Sequence, residues 1–155
     1  MHLARHHDSL QFQPLTEARL DEVERLEQQA HAHPWTRRHF ADTLVAGYQA
    51  QLLCSADDIL GYFVAMQGVD EVHLLNITVA LVHQRQGWAR MLLDALAIWA
   101  RAQGAQWLWL EARVSNARAL QVYEAFGLRR VGLRKGYYPS GQGQREDAVV
   151  MSLKL

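Results

Sequence analysis

Three stretches of the chain hold residue types whose spacing could support chemistry. The first is Gln84-Arg85-Gln86-Gly87-Trp88-Ala89-Arg90, with a glycine at the head of a long helix-like run. The first four N–H groups of a helix lack an intrahelical partner. The helix dipole adds about half a positive charge at the same end. A glycine lets an anion approach that backbone with no Cβ in the way. Arg85 and Arg90 would add charge, and Gln84 a side-chain donor. An ordinary turn into a core helix, with both arginines solvated, fits the spacing equally well. No Gly-Lys-Ser/Thr follows, so the stretch is not a Walker loop. It also lacks the three spaced glycines of a dinucleotide fingerprint.

The second is Glu111, which closes the apolar run Trp107-Leu108-Trp109-Leu110. A carboxylate at a strand end among apolar neighbours is made more basic and can serve as a general base. It could equally be a strand-end ion pair, for instance with Arg113. The third is Asn116 with Tyr123. Seven residues make about two helical turns, so the two share a face. Asn116 is a natural helix N-cap. Tyr123 reads either as a core aromatic with a satisfied hydroxyl or as a proton donor. Eight histidines raise the question of a metal. His31 and His33 have no second Cys or His cluster at ligand spacing beside them, so no metal site is expected. His2, His6 and His7 fit a loose terminus over residues 1–8. Cys54, in the middle of an apolar strand, reads as a buried small hydrophobe and not a nucleophile.

The elements that must carry these residues follow from periodicity and punctuation. Leu10 and Phe12 alternate with glutamines until Pro14, a short strand. Thr16 would cap a helix with Leu20, Val23, Leu26 and Ala30 inward. His33-Pro34 ends it. Thr36 caps a second helix, with Phe40 and Leu44 inward, that closes at Gly47. Strands are predicted at 48–55 and 59–67, joined by a turn at Asp57-Asp58, and at 71–79. The helix from Gly87 runs to about Gln103, with Leu92, Leu93, Leu96 and Trp99 inward, and Gly104 stops it. A strand at 106–111 follows, then a helix from Asn116 to Phe126 stopped by Gly127. Two last strands lie near 128–137 and 145–153. Between them Tyr137, Tyr138 and Pro139 begin a loop made flexible by SGQGQ, with Glu146 and Asp147 beyond it.

Antiparallel meanders together with a strand–helix–strand unit over 71–111 define an α/β (α+β) domain with a mixed, mostly antiparallel sheet and helices on both faces. The unit should be a right-handed crossover between parallel strands. At 155 residues the chain fits one domain, 1–155, with a core of ordinary size. Basic and acidic residues balance at 16 each, which argues against a nucleic-acid binder. The lone cysteine fits a reducing compartment. The opening MHLARHHDSLQFQ has no continuous apolar stretch of the kind a secretory leader carries, and no window is long and apolar enough to span a membrane. The expected setting is the cytoplasm.

The segment Gln-Arg-Gln-Gly-Trp-Ala after a strand resembles the Q/R-x-x-G-x-G/A motif of the GNAT superfamily of N-acetyltransferases, which binds the pyrophosphate of acetyl-coenzyme A. The likeness extends over almost the whole chain. AHAHPWT (30–36), LNITV (75–79), LWLEARVSNARALQVYEAFG (108–127) and YYP…REDAVVM (137–151) resemble the bacterial RimI type. That type acetylates the N-terminal alanine of a small-subunit ribosomal protein. The resemblance implies a splayed sheet with acetyl-coenzyme A wedged between two central parallel strands.

It also implies roles. Arg85, Gln86, Gly87, Trp88, Ala89 and Arg90 would hold the pyrophosphate. Backbone groups of Ile77, Thr78 and Val79, whose side chains otherwise suit a core, would bond the pantetheine arm. Asn116 and Tyr123 would contact acetyl-coenzyme A. Glu111 would be the base and Tyr123 the acid that protonates the departing thiolate. Trp35, Tyr137, Tyr138, Glu146 and Asp147 would recognise the acceptor peptide, the acidic pair attracting its ammonium. The acceptor would be a protein N-terminus, and the enzyme a monomer that needs no metal and touches neither nucleic acid nor membrane. Lysine or small-amine acetylation, and a non-catalytic acyl-coenzyme A-binding regulatory module, are the competing readings. The presence of both Glu111 and Tyr123 speaks against the last. Three positions depart from the common pattern: Ala89 stands for a glycine, Leu128 for a phenylalanine, and Gly136 for a larger polar residue. The last puts peptide preference in question.

Overall fold

Period-two alternation in the sequence becomes alternating burial in the strands. In β4 (Glu71–Val79) Val72, Leu74, Asn76 and Thr78 point inward, while the residues between them stay partly or fully exposed. In β5 (Trp107–Arg113) Leu108, Leu110 and Ala112 are the buried set. The computed structural model describes residues 9–155, so the expected loose terminus with His2, His6 and His7 lies outside the described residues.

The remaining elements are β1 (Leu10–Pro14), α1 (Leu20–Ala30), α2 (Arg37–Ala46), β2 (Gln49–Ser55), β3 (Asp58–Gln67), α3 (Trp88–Ala102), α4 (Ala117–Phe126), β6 (Arg129–Gly141) and β7 (Gln144–Lys154). The strands form one seven-stranded sheet in the order β1-β2-β3-β4-β5-β7-β6. β1–β2, β2–β3, β5–β7 and β6–β7 pair antiparallel. β4 and β5 pair parallel, from Glu71↔Trp107 to Leu74↔Leu110, as the crossover requires. The expected mixed, mostly antiparallel α/β architecture is therefore found.

The backbone groups into two compact units. One comprises the residues up to Met66 with Asn76–Leu92, the other Gln67–Leu75 with Leu93–Leu155. In the first, Thr36 and His39 form a reciprocal capping box at the start of α2, and Gly47 ends that helix at φ 74°. Ten residues make only a marginal helix in water. Its stability comes from burying Phe40, whose ring meets Tyr62 edge-on at 5.8 Å between centroids. Burying a side chain of that size is worth about 1.5–3 kcal/mol.

Three expectations are corrected here. Thr16 makes no side-chain cap; a 3-10 turn at Glu17–Arg19 precedes α1 instead. The β2–β3 turn is Ala56-Asp57, with Ala56 at φ 53°, one residue earlier than expected, because Asp58 already pairs with Ser55. Leu26 and Leu44 are also only half-buried, and the inward positions beside them are Glu27 and Thr43.

In the second unit Asn116 caps α4, its side chain accepting from the Ala119 N–H at 3.3 Å, and Gly127 ends the helix at φ 117°. β6 and β7 form a long hairpin closed by Gln142-Gly143. The expected loop from Tyr137 onward is thus strand: Tyr138 pairs with Glu146 and Pro139 with Arg145. An irregularity in register between Arg134 and Tyr138, where Gly136 sits at φ 60°, lets the pairing continue past the bend. α3 buries Trp88, Leu92, Leu93, Leu96, Ala97 and Ala100, while Trp99 is only partly covered.

Candidate active site

In the first unit, α3 begins on a glycine. Gly87 occupies the cap position, its carbonyl accepting from Met91 N–H at 3.4 Å, and it has no side chain with which to cap. Arg85 and Gly87 both adopt positive φ, 63° and 89°. Alternation of this kind points successive N–H groups toward one concavity, an anion-binding nest. A Cβ built on Gly87 would meet nothing within 4 Å, so the backbone there is open to a guest. The neighbouring side chains hold the loop. Gln84 Nε2 donates to the Val79 carbonyl at 3.2 Å, tying the loop to the end of β4. Trp88 Nε1 donates to Gln86 Oε1 at 3.1 Å, and the Trp88 ring is buried. Arg85 and Arg90 are exposed, and Ala89 is partly buried. These residues fit a pyrophosphate: an open nest, a helix dipole and two cationic side chains.

The first unit also holds a polar cluster that sequence reasoning missed. Glu27 on α1 is 2% exposed. Its carboxylate accepts from Tyr62 hydroxyl at 2.8 Å, from Asn76 Nδ2 at 3.1 and 3.3 Å, and from Trp35 N–H at 3.0 Å. The Thr78 hydroxyl, 3.3 Å away, donates to Asn76 Oδ1 at 2.8 Å, and His31 Nε2 lies 2.7 Å from it. Burial and the adjacent Glu27 push the Tyr62 pKa far above the usual phenol value, so Tyr62 remains a donor. Ile77 and Val79, which were expected to suit a core, are only partly buried; the buried face of β4 carries polar Asn76 and Thr78 instead. The signal was present in α1: spacing 20, 23, 27 follows the helical period as well as 20, 23, 26 does. Trp35 packs its ring against Phe40 at 5.2 Å and His39 at 5.9 Å, while its amide is held by Glu27.

In the second unit, Glu111 on β5 is not paired with Arg113. Its side chain is 5% exposed and bonds His73 Nε2 of β4 at 2.8 Å. His73 stacks on Trp109, its register partner, with ring centroids 3.6 Å apart and planes 6° from parallel. Burial lowers the His73 pKa; Glu111 pulls in the other direction and Arg134 in the same one. Tyr137 hydrogen-bonds Glu111, and that bond raises the phenol pKa. Burial pushes Tyr138 up to about 12, with the Glu111 charge adding to the effect. The Tyr123 pKa also stands above the ordinary value, chiefly through burial, although the residue as a whole keeps some exposure.

Arg113 instead pairs with Glu146 at 2.9 Å and lies 4.4 Å over the Tyr138 ring. The Arg113 and Ser115 bonds hold the Glu146 carboxyl below the usual carboxylate range. Asp147 accepts from Gly136 N–H at 2.8 Å. Both members of the expected acidic pair therefore already have partners. Arg134 lies 5.5 Å over Tyr137 and 6.0 Å over Trp109. The Trp109 indole N–H is buried with no acceptor among the described residues. Sequence reasoning did not reach His73 or Arg134, whose roles depend on which strands become neighbours.

The chain belongs to the acetyltransferase (GNAT) family, whose model matches residues 10–128. Among curated proteins it is 41% identical, over 84% of its length and 87% of the relative's, to a [ribosomal protein bS18]-alanine N-acetyltransferase of Salmonella typhimurium. It is 38% identical to that of Escherichia coli, with the same coverage. Among solved structures, the Escherichia coli ribosomal-protein-alanine N-acetyltransferase superposes with a TM-score of 0.84 at 34% identity, over 94% of this chain and 93% of that one. A GNAT acetyltransferase of Elizabethkingia anophelis, solved with acetyl-CoA bound, shares the fold at a TM-score of 0.77 and 21% identity, over 96% and 99% of the two chains.

Proposed function

We propose that this chain, read as one domain over 1–155, transfers an acetyl group from acetyl-CoA to a protein N-terminal amine. The acceptor in this reading is the N-terminal alanine of ribosomal protein bS18. The chemistry rests on one observation above the others: a carboxylate inside β5, which runs on to Arg113 and not, as expected, only to 111, its side chain almost fully buried and held by a histidine and a phenol. The acceptor rests on the 37–41% identity to enzymes bearing that name.

The nest at Arg85–Ala89 with Arg90 would hold the pyrophosphate, and Ile77, Thr78 and Val79 would offer backbone groups to the pantetheine arm. Acetyl-CoA supplies an activated thioester. Glu111 takes a proton from the acceptor ammonium, and the free amine attacks the thioester carbonyl. An α-amine has a pKa of about 8 against about 10.4 for lysine, so the task is easier by about two units for an N-terminus. The attacking nitrogen sheds its second proton as it becomes the amide, the C–S bond breaks, and that proton passes to the departing thiolate, so that free coenzyme A leaves as the thiol. A tyrosine whose pKa exceeds its ordinary value of about 10 is a weaker acid than a thiol near 8.5. Tyr123 therefore works by hydrogen-bonding the leaving sulfur as charge develops, helped by Asn116 as a contact to the same substrate. Transfer is direct within a ternary complex. Cys54, the one cysteine, is fully buried with its thiol pKa pushed up by that burial, which suits it poorly as an acyl carrier.

Trp35, Tyr137, Tyr138, Glu146 and Asp147 remain the residues assigned to the acceptor. Because Glu146 is neutralised by Arg113, the aromatic rings carry more of that recognition than the acidic pair. The balanced net charge argues against direct nucleic-acid contact, a ribosomal-protein acceptor fits work in the cytoplasm, and a monomer without membrane contact completes the proposal. No helix among the described residues is long and apolar enough to cross a membrane.

The test compares acetylated N-termini by mass spectrometry in cells with and without the protein. Loss of acetyl from bS18 supports the reading, and a broad change at lysines overturns it. With purified protein, Tyr123→Phe should lower turnover by about a hundredfold or more, the effect of losing one donor to a developing charge, while acetyl-CoA affinity stays nearly constant. Unchanged turnover would remove Tyr123 from the reaction.

A further inference from the structure

We propose that His73 is a positioning residue for acetyl transfer: by donating its Nε2–H to Glu111 Oε1, it fixes the carboxylate that accepts the amine proton. This rests on the reading of Glu111 as the base and adds a residue to it. The geometry has three parts. The Nε2–Oε1 distance is 2.8 Å, and the Glu111 side chain is 5% exposed, so water is a poor substitute for the donor. The imidazole is clamped against Trp109 at 3.6 Å and 6°, which fixes the ring plane and with it the direction of the N–H. The register His73↔Trp109 places both on the side of β5 that also carries Glu111, two residues along the strand.

The charge on the imidazole matters. A carboxylate accepts only, so Nε2 must carry a proton, and the neutral ring can supply it. A neutral donor orients a carboxylate while leaving it basic, whereas an imidazolium would hold its charge in an ion pair and make it a weaker base. The groups facing His73 are Glu111 on β5, Arg134 on β6 and Glu71 on its own strand. Burial and Arg134 favour the neutral ring, while the two glutamates oppose them. Tyr137 on β6 is the second donor to Glu111. As pH falls, His73 gains a proton and the pair loses its basicity. The acid limb of the rate profile therefore carries the protonation of His73.

The experiment uses the intact protein with acetyl-CoA and an alanine-starting peptide. It measures kcat, KM for acetyl-CoA, the pH profile of kcat/KM and thermal unfolding. His73→Leu keeps an apolar side chain on Trp109 but donates nothing. It should lower kcat about tenfold to a hundredfold, the worth of a hydrogen bond to a charged group, with KM for acetyl-CoA unchanged. His73→Gln can present an amide N–H near the place of Nε2. It should restore most of the rate and move the acid limb, because glutamine does not titrate. A folded His73→Leu protein with wild-type kcat, beside an inactive Glu111→Gln, overturns this inference alone. An active Glu111→Gln overturns the base assignment and this inference with it. Should His73→Leu not fold, His73→Gln decides: an acid limb identical to wild type overturns the proposal.

Discussion

Glu27 and Glu111 invite comparison. Each is a carboxylate withdrawn from water, each sits beside a histidine, and each belongs to a different compact unit. A carboxylate offers about four lone-pair sites. Those of Glu27 are filled by Tyr62, Asn76 and the Trp35 amide, with Thr78 and His31 closing the surroundings. Glu111 has His73 and Tyr137. The difference lies in what remains: a saturated carboxylate ties strands and helix together, and one with sites to spare can exchange a proton. Burial by itself therefore does not mark a base; the count of donors does.

Substitutions at three positions would break or sharpen that contrast. The largest effect is expected from Glu111→Gln, which should reduce turnover by roughly 10²–10⁴ with little change in the unfolding midpoint. A stopped-assay rate close to wild type would place proton removal elsewhere. Glu27→Leu should do the reverse. It leaves the Tyr62, Asn76 and Trp35 donors without an acceptor, and should cost on the order of 3 kcal/mol of stability in a urea titration. Residual kcat per folded molecule should stay within a few-fold of wild type; a stable but inactive Glu27→Leu would erase the distinction drawn here. The smallest effect concerns Asn116. Asn116→Ala should cost about 1 kcal/mol as a lost cap, whereas Asn116→Asp keeps the cap. If Asn116 also contacts acetyl-CoA, the aspartate variant should bind it more weakly at wild-type stability. Equal affinity would leave Asn116 as a cap only.

Much of this could be read from residue order. Strand boundaries near Leu10–Pro14 and Glu71–Val79 follow from alternation, and the ends of α2 and α4 follow from Gly47 and Gly127. The candidate residues at Gly87, Glu111, Asn116 and Tyr123 were all visible as types at meaningful spacings. What was not visible depended on pairing between distant strands. His73 matters because β4 and β5 run parallel in a register that brings it against Trp109 and Glu111. Tyr137 and Tyr138 were expected to lie in a loop, since SGQGQ and Pro139 both read as breakers. The irregularity in register between Arg134 and Tyr138 absorbs the mismatch and keeps the ladder intact. Glu27 was missed because a charged residue at an inward helix position is normally read as outward. Only the donors on β3 and β4, forty or so residues away in sequence, explain its place.

The shielding of Cys54 has a practical side. Every acetyl transfer from acetyl-CoA liberates a free thiol, which a disulfide reagent can titrate continuously. The enzyme's own sulfur is fully buried and poorly ionised, with Arg19 Nη1 3.8 Å away. The native chain should thus add almost no background to such a colorimetric trace, and a cysteine introduced at an exposed position such as Val45 could be labelled selectively without first removing the natural one.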